Sequence, residues 1–153
     1  MSIKANLAIT LQNRKVCKKI IDSLSMDQLN AIPSGFNNNI LWNCAHIVSV
    51  QQMLTYGLTD QPFAINKEDV FRFSPGTKPE SVYDSDFSDY VKTVLYTSFE
   101  QLTHDINEGK FITFRPFITA LKFEINDLES AIAFNQYHEA LHMGHILNIR
   151  KFV

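Results

Sequence analysis

The chain has 153 residues, 45% of them hydrophobic and 20% charged, with only 5 Gly, 5 Pro and 2 Cys and a formal net charge of −2. That composition fits one globular domain spanning the chain and excludes a disordered segment or a disulfide-built mini-protein. With no basic block, a nucleic-acid backbone has no landing strip.

The first predicted helix runs from about Ile3 to Leu24. Ile3, Leu7, Leu11, Cys17, Ile21 and Leu24 form its apolar stripe, with Arg14, Lys15, Lys18 and Lys19 between them. The stretch "SMDQLNAIPSGFNNN" breaks it, through Pro33, Gly35 and three Asn. A second helix starts at Asn38 or Asn39, both good N-caps, and stops near Gly57. Apolar residues dominate it on every side, so both faces are expected to pack. From Leu58 to about Tyr83 follows a long connection, of the kind that covers or builds sites.

The third helix is predicted over Ser85–Asn107 and is closed by Gly109. "KFITFRPFITALKFEI" then reads as a short hairpin or an extended cover strand, limited by Pro116. The fourth helix is expected to begin at Asn126, with Glu129 completing a capping box, and to end at Arg150-Lys151. Four long helices joined by unequal loops describe an all-α four-helix bundle, whose long second connection permits a crossover. Cys17 and Cys44 fall inside apolar helical patterns and are expected as buried, reduced thiols. No apolar run reaches the roughly 20 residues that span a bilayer, and no signal core precedes the first helix, so the expected location is the cytoplasm. Amphipathic bundles commonly pair, which makes a homodimer the expected assembly.

Five histidines carry the chemistry. His138 and His142 are four apart on the last helix, hence on one face, separated by about 6 Å of rise and about 40° of rotation. Two imidazoles so placed can share one ion. His145 lies on the same face but about 10 Å along the axis from His138. His104 sits beside Asp105 and Asn107 and reads as exposed. His46, inside "LWNCAHIVSVQQM", turns inward with Trp42 and Met53 on its side and is the best third ligand. The bland alternative is a packed core histidine, yet several imidazoles are hard to satisfy in a dry core.

His138-Glu139-Ala140-Leu141-His142 also fits H-E-x-x-H, the zinc protease pattern. The longer H-E-x-x-H-x-x-G-x-x-H form fails, because position 148 is Asn and Gly144 comes too early. The eleven residues after His142 contain no Asp or Glu. A protease is therefore not expected. Glu139, offset by about 100° from His138, is a weak candidate for a catalytic base; a partner to an imidazole and a solvated surface charge are the preferred readings.

"GFNNNILWNCAHIV" and the closing "FNQYHEALHMGHILNIRKFV" resemble the DinB-like superfamily, from Leu7 to Arg150. The resemblance implies a four-helix bundle with a divalent metal held by three histidines, which by position are His46, His138 and His142. His145 falls where relatives often carry Gln or Tyr, as a neighbour of the site. It also implies one of two activities: a metal-dependent S-transferase using a low-molecular-weight thiol such as bacillithiol or mycothiol, or a metal-dependent hydrolase. The metal could be Zn, Ni or Fe, since imidazole suits each. For the carboxylates of such a thiol the sequence offers only Arg72 and Arg115, both weak candidates on connecting segments. Two further readings stay open. One is a non-catalytic bundle whose metal or histidine cluster holds helices together. The other is a binding module for an apolar small molecule, motivated by 12 Phe and 5 Tyr, several of them around 71–73 and 111–123.

Overall fold

Four long helices and two short ones make up the architecture of the computed structural model, which describes residues 2–153. Helix α1 spans Ile3–Asp22 and is capped by Ser2. It stops at Asp22 rather than Leu24, and the segment read as a plain breaker holds a second helix, α2, Met26–Asn30. Ser25 and Gln28 close a capping box there, with the Ser25 Oγ accepting from Gln28 N and the Gln28 side chain accepting from Ser25 N. Helix α3, Ile40–Thr55, starts at Asn39, whose side chain accepts from Trp42 N at 2.8 Å. Every residue of α3 except Met53 is buried, as its unbroken apolar pattern requires.

The long connection carries a 3-10 turn at Gly57–Thr59 and a short helix, α4, Lys67–Arg72, capped by Asn66. Helix α5, Ser85–Asn107, has the bounds read from its sequence, set by the Asp84 N-cap. Strands β1, Phe117–Ile118, and β2, Glu124–Ile125, form a hairpin, one of the two forms expected, antiparallel with Phe117 opposite Ile125. Helix α6, Leu128–Ile149, does not use Asn126 and Glu129 as its capping pair. Asp127 is the N-cap, reciprocally bonded to Ser130, because the chain stays extended one residue longer.

α3 packs on α6 and α5, while α1 packs on α6 and α5, which closes an all-α bundle. Its main core joins Cys17 and Ile20 of α1, Leu41 and Ile47 of α3, Leu95 of α5 and Ile146 of α6. Each such side chain contributes about 1.5–3 kcal/mol by leaving water. Cys17 and Cys44 are both free and buried. Among the described residues no helix is long and apolar enough to cross a membrane.

One charged residue lies in the middle of this core. Arg14, which the sequence sets with Lys15, Lys18 and Lys19 between the apolar positions of α1, is fully buried. Its guanidinium donates to Leu95 O at 3.0 Å and Ser98 Oγ at 2.8 Å on α5, to Gln51 Oε1 at 2.6 Å on α3, and to Glu139 Oε1 at 2.8 Å on α6. A single side chain thus ties α1 to the other three long helices. Glu139 is only 1% exposed. The solvated surface charge expected for it is overturned, because Arg14 and Asn135 hold its carboxylate inside the bundle.

Candidate metal centre

His46 projects from the middle of α3, and His138 and His142 from successive turns of α6, where these two helices pack together. The i,i+4 spacing on α6 brings two rings together, tilted by 49° with centroids 4.5 Å apart. The His46 ring lies 5.1 Å from that of His138 and 4.5 Å from that of His142. One nitrogen from each of the three lies within 4.8 Å of the other two. The front half of the chain and its tail therefore meet as the histidine spacing suggested.

Hydrogen bonding decides which nitrogens converge. The Nδ1 of His46 is 2.6 Å from the carbonyl oxygen of Phe73, the C-cap of α4. A carbonyl only accepts, so Nδ1 carries the proton and Nε2 keeps its lone pair. The long connection thereby sets the tautomer of a site residue. The Nδ1 of His142 is 2.7 Å from Asn43 Oδ1, and the Asn43 amide donates at 2.7 Å to Asn39 O, one turn back. The same reasoning leaves Nε2 of His142 as the free nitrogen. Trp42 stacks on His46 with ring centroids 4.5 Å apart and shields it from water.

All three rings are held neutral. Burial lowers the pKa of His46, against a smaller opposing pull from the Phe73 carbonyl. Burial, then the neighbouring His46, brings His138 down to about 3. Burial, then His46, His138 and His145, brings His142 down to about 2. A buried neutral imidazole needs partners for its nitrogens, yet Nδ1 of His138 has none among the described residues. Two tautomer-locked rings and one ring with an orphan nitrogen fit a cation better than a dry core.

The remaining candidates fall outside the trio. His145 is exposed, with its ring 5.8 Å from that of His142, and His104 is exposed on α5. Glu139, despite its place in H-E-x-x-H, accepts its hydrogen bonds from Arg14 and Asn135. Among the described residues no carboxylate or thiol joins the three histidines. The two cysteines are not available as nucleophiles. Both are fully buried, and the hydrogen bond that the Cys44 thiol donates to Cys17, together with burial, raises the pKa of Cys44 well above the usual thiol range.

Two chambers flank the trio. On one side, about 440 Å³ is lined by Asn37, Asn38, Thr77, Lys78, His46 and His142. Here Pro75 and Gly76 occupy the centre of a turn closed by Thr77 N donating to Ser74 O at 3.2 Å, with Gly76 at φ +89°, a conformation that glycine adopts without strain. This turn presents Lys78, a residue that sequence reasoning missed. On the other side lies a chamber lined by apolar side chains with His46 and His138. Neither Arg72 nor Arg115 is among the residues lining these chambers. Arg72 lies over the rings of Phe73, Tyr83 and Phe87, and Arg115 is paired with Asp60.

The sequence matches the family model of the DinB superfamily over residues 10–146. The chain belongs to that superfamily. Neither curated proteins nor solved structures yield a significant match to it. DinB-like proteins bind metal, and the cluster of His46, His138 and His142 in this DinB protein could hold an ion. Imidazole nitrogens alone do not choose among Zn, Ni and Fe.

Proposed function

We propose that this DinB protein is a metal-dependent enzyme that transfers a group to an exogenous thiol, with His46, His138 and His142 as its metal ligands. The observation that carries the proposal is the convergence of three neutral imidazoles with no fourth protein ligand among the described residues. A site with three protein ligands keeps a position for water or substrate. A divalent ion bound there would lower the pKa of a coordinated thiol or water. The protein's contribution is to present two Nε2 lone pairs, locked by Phe73 O and Asn43 Oδ1, and the His138 ring beside them.

The burial of Cys17 and Cys44 supports an external thiol, since neither can reach a substrate. In the reaction the thiol loses its proton to solvent and its sulfur attacks a carbon of the acceptor. The S–C bond forms as the bond from that carbon to the leaving group breaks, and the leaving group departs with the electron pair. Hydrolysis is the second reading, favoured by the roughly 440 Å³ polar chamber beside His46 and His142, which is wide enough for water. Assembly as a homodimer belongs to the same proposal.

Elemental analysis of the wild type beside His46→Ala, His138→Ala, His142→Ala and His145→Ala tests the ligand assignment. One equivalent of divalent metal is expected in the wild type and in His145→Ala, and a small fraction of that in the other three. Equal content in all five refutes the assignment. Conjugation of an aryl halide to a small thiol, set against cleavage of a nitrophenyl ester, separates transfer from hydrolysis.

A further inference from the structure

The two faces of the histidine cluster differ chemically, and the difference identifies a substrate class. The chamber beside His46 and His138 has a volume of about 320 Å³, at the lower end of the roughly 300–1,000 Å³ of small-molecule sites. Val50 and Leu54 of α3 and Phe134 of α6 form its inner wall, and Phe117, Ala120 and Leu121 of the hairpin form its outer wall. Among the described residues no Lys, Arg, Asp or Glu lines it. Its one hydroxyl, on Thr119, accepts from Phe123 N at 3.0 Å and so serves the hairpin itself. Away from the proposed metal, nothing in the chamber's lining compensates a buried ionic group, which would have to give up its hydration without return.

The outer wall is also unusually wet for its composition. Leu121 is 62% exposed and Phe117 46% exposed, although both side chains line the chamber. Apolar side chains held at the mouth of a concavity, around two imidazoles, gain by closing on an apolar guest. The opposite face of the trio, with Asn37, Asn38, Thr77 and Lys78 beside Trp42 and Pro75, is the more polar of the two.

We infer that the chamber under the β1–β2 hairpin seats an uncharged aromatic or alkyl group of the substrate, with its reactive end toward His46 and His138. The inference rests on the metal-centre proposal for what happens at that reactive end, but the seat itself can be tested without metal or turnover. The probe is N-phenyl-1-naphthylamine, an uncharged dye that brightens in apolar surroundings, compared with its 8-sulfonate, which has the same rings and a fixed negative charge. Titrations are run on the full chain, as purified and after chelation, with metal content measured in the same samples.

The expected result is saturable binding of the uncharged dye at one per chain, with the sulfonate at least tenfold weaker. Ala120→Trp, which fills the chamber from an exposed turn, and Leu121→Asp, which places a charge on its rim, should each weaken binding at least tenfold and leave metal content unchanged. Ile112→Ser, at an apolar residue exposed elsewhere, should bind as the wild type does. Absence of dye binding in the wild type overturns the inference, as does equal binding of the two dyes or indifference to Ala120→Trp and Leu121→Asp. Dye binding that follows this pattern in a protein that takes up no divalent metal even on reconstitution upholds the seat and refutes the metal centre instead.

Discussion

Asn43 and His142 are 99 positions apart in sequence, and their side chains meet at 2.7 Å, with the amide oxygen accepting a hydrogen bond from Nδ1. The same amide anchors its nitrogen on Asn39 O, the N-cap of α3, so the cap and the imidazole share one rigid support. Removing that support should loosen the ring without emptying the site. Asn43→Leu is expected to weaken metal affinity about 10–100-fold, the usual cost of losing a partner to a ligand histidine. Competition with a chromogenic chelator measures it. Unchanged affinity in a folded variant would mean that the hydrogen bond does not orient the ligand.

The Arg14–Glu139 pair gives a prediction about stability rather than chemistry. Both side chains are fully buried, with Arg14 Nε and Glu139 Oε2 left without partners among the described residues. Glu139→Ala leaves an uncompensated buried guanidinium and should destabilise by about 3–5 kcal/mol. That lowers Tm by about 6–20 °C for a chain of this size. The double variant Arg14→Leu, Glu139→Leu should recover most of the loss, because it removes the desolvation cost along with the attraction. Metal content should stay at the wild-type level in Glu139→Gln. If instead the metal is lost while Tm holds, Glu139 acts on the metal site and the H-E-x-x-H reading regains force.

The histidine trio was legible in the sequence for a local reason: i,i+4 spacing fixes two rings on one face whatever the rest of the fold does. His46 was legible because its neighbours Ala45 and Ile47 belong to a helix with no polar side. Arg14 was not, since it stands among Lys15, Lys18 and Lys19, and what buries it is a carboxylate 125 residues away. The N-cap of α6 was misread by one residue because "EINDLES" offers both Asn126 and Asp127, and only the preceding strand decides between them. Helices α2 and α4 are too short to show a 3.6-residue period, although the Ser25–Gln28 capping box was there to be seen. Lys78 is delivered by a turn, and no periodicity predicts where a loop residue ends up.

Lys78 is the one Lys or Arg lining the polar chamber, and it is exposed there. Under the proposed function it should favour thiols that carry a carboxylate. Lys78→Gln is expected to raise KM for such a thiol about two- to fivefold, in line with a solvated ion pair. KM for uncharged 2-mercaptoethanol should not change, nor should kcat for either thiol. Steady-state kinetics at low and high salt checks this, because screening should erase the difference in the wild type. Equal KM shifts for both thiols would assign Lys78 a structural role.

The lowered pKa values of His138 and His142 make the metal-free protein acid-sensitive well above the carboxylate range. Unfolded, each ring takes up a proton near pH 6.5; folded, they resist down to about 3 and about 2. Between those values the unfolded state binds more protons, so stability is fully present above pH 6.5 and falls as the pH drops. The slope is at most about 1.4 kcal/mol per pH unit for each ring. Asp105 and Asp127, whose pKa values are lowered from 3.8, add their loss only in more acidic solution. Thermal unfolding of the chelated protein from pH 7.5 to 4.5 should therefore show a falling Tm, and the double variant His138→Asn, His142→Asn a flatter curve. Saturating metal, which binds the neutral rings of the folded state, should displace the fall to lower pH. Parallel curves for the wild type and the double variant would remove the two histidines as the cause.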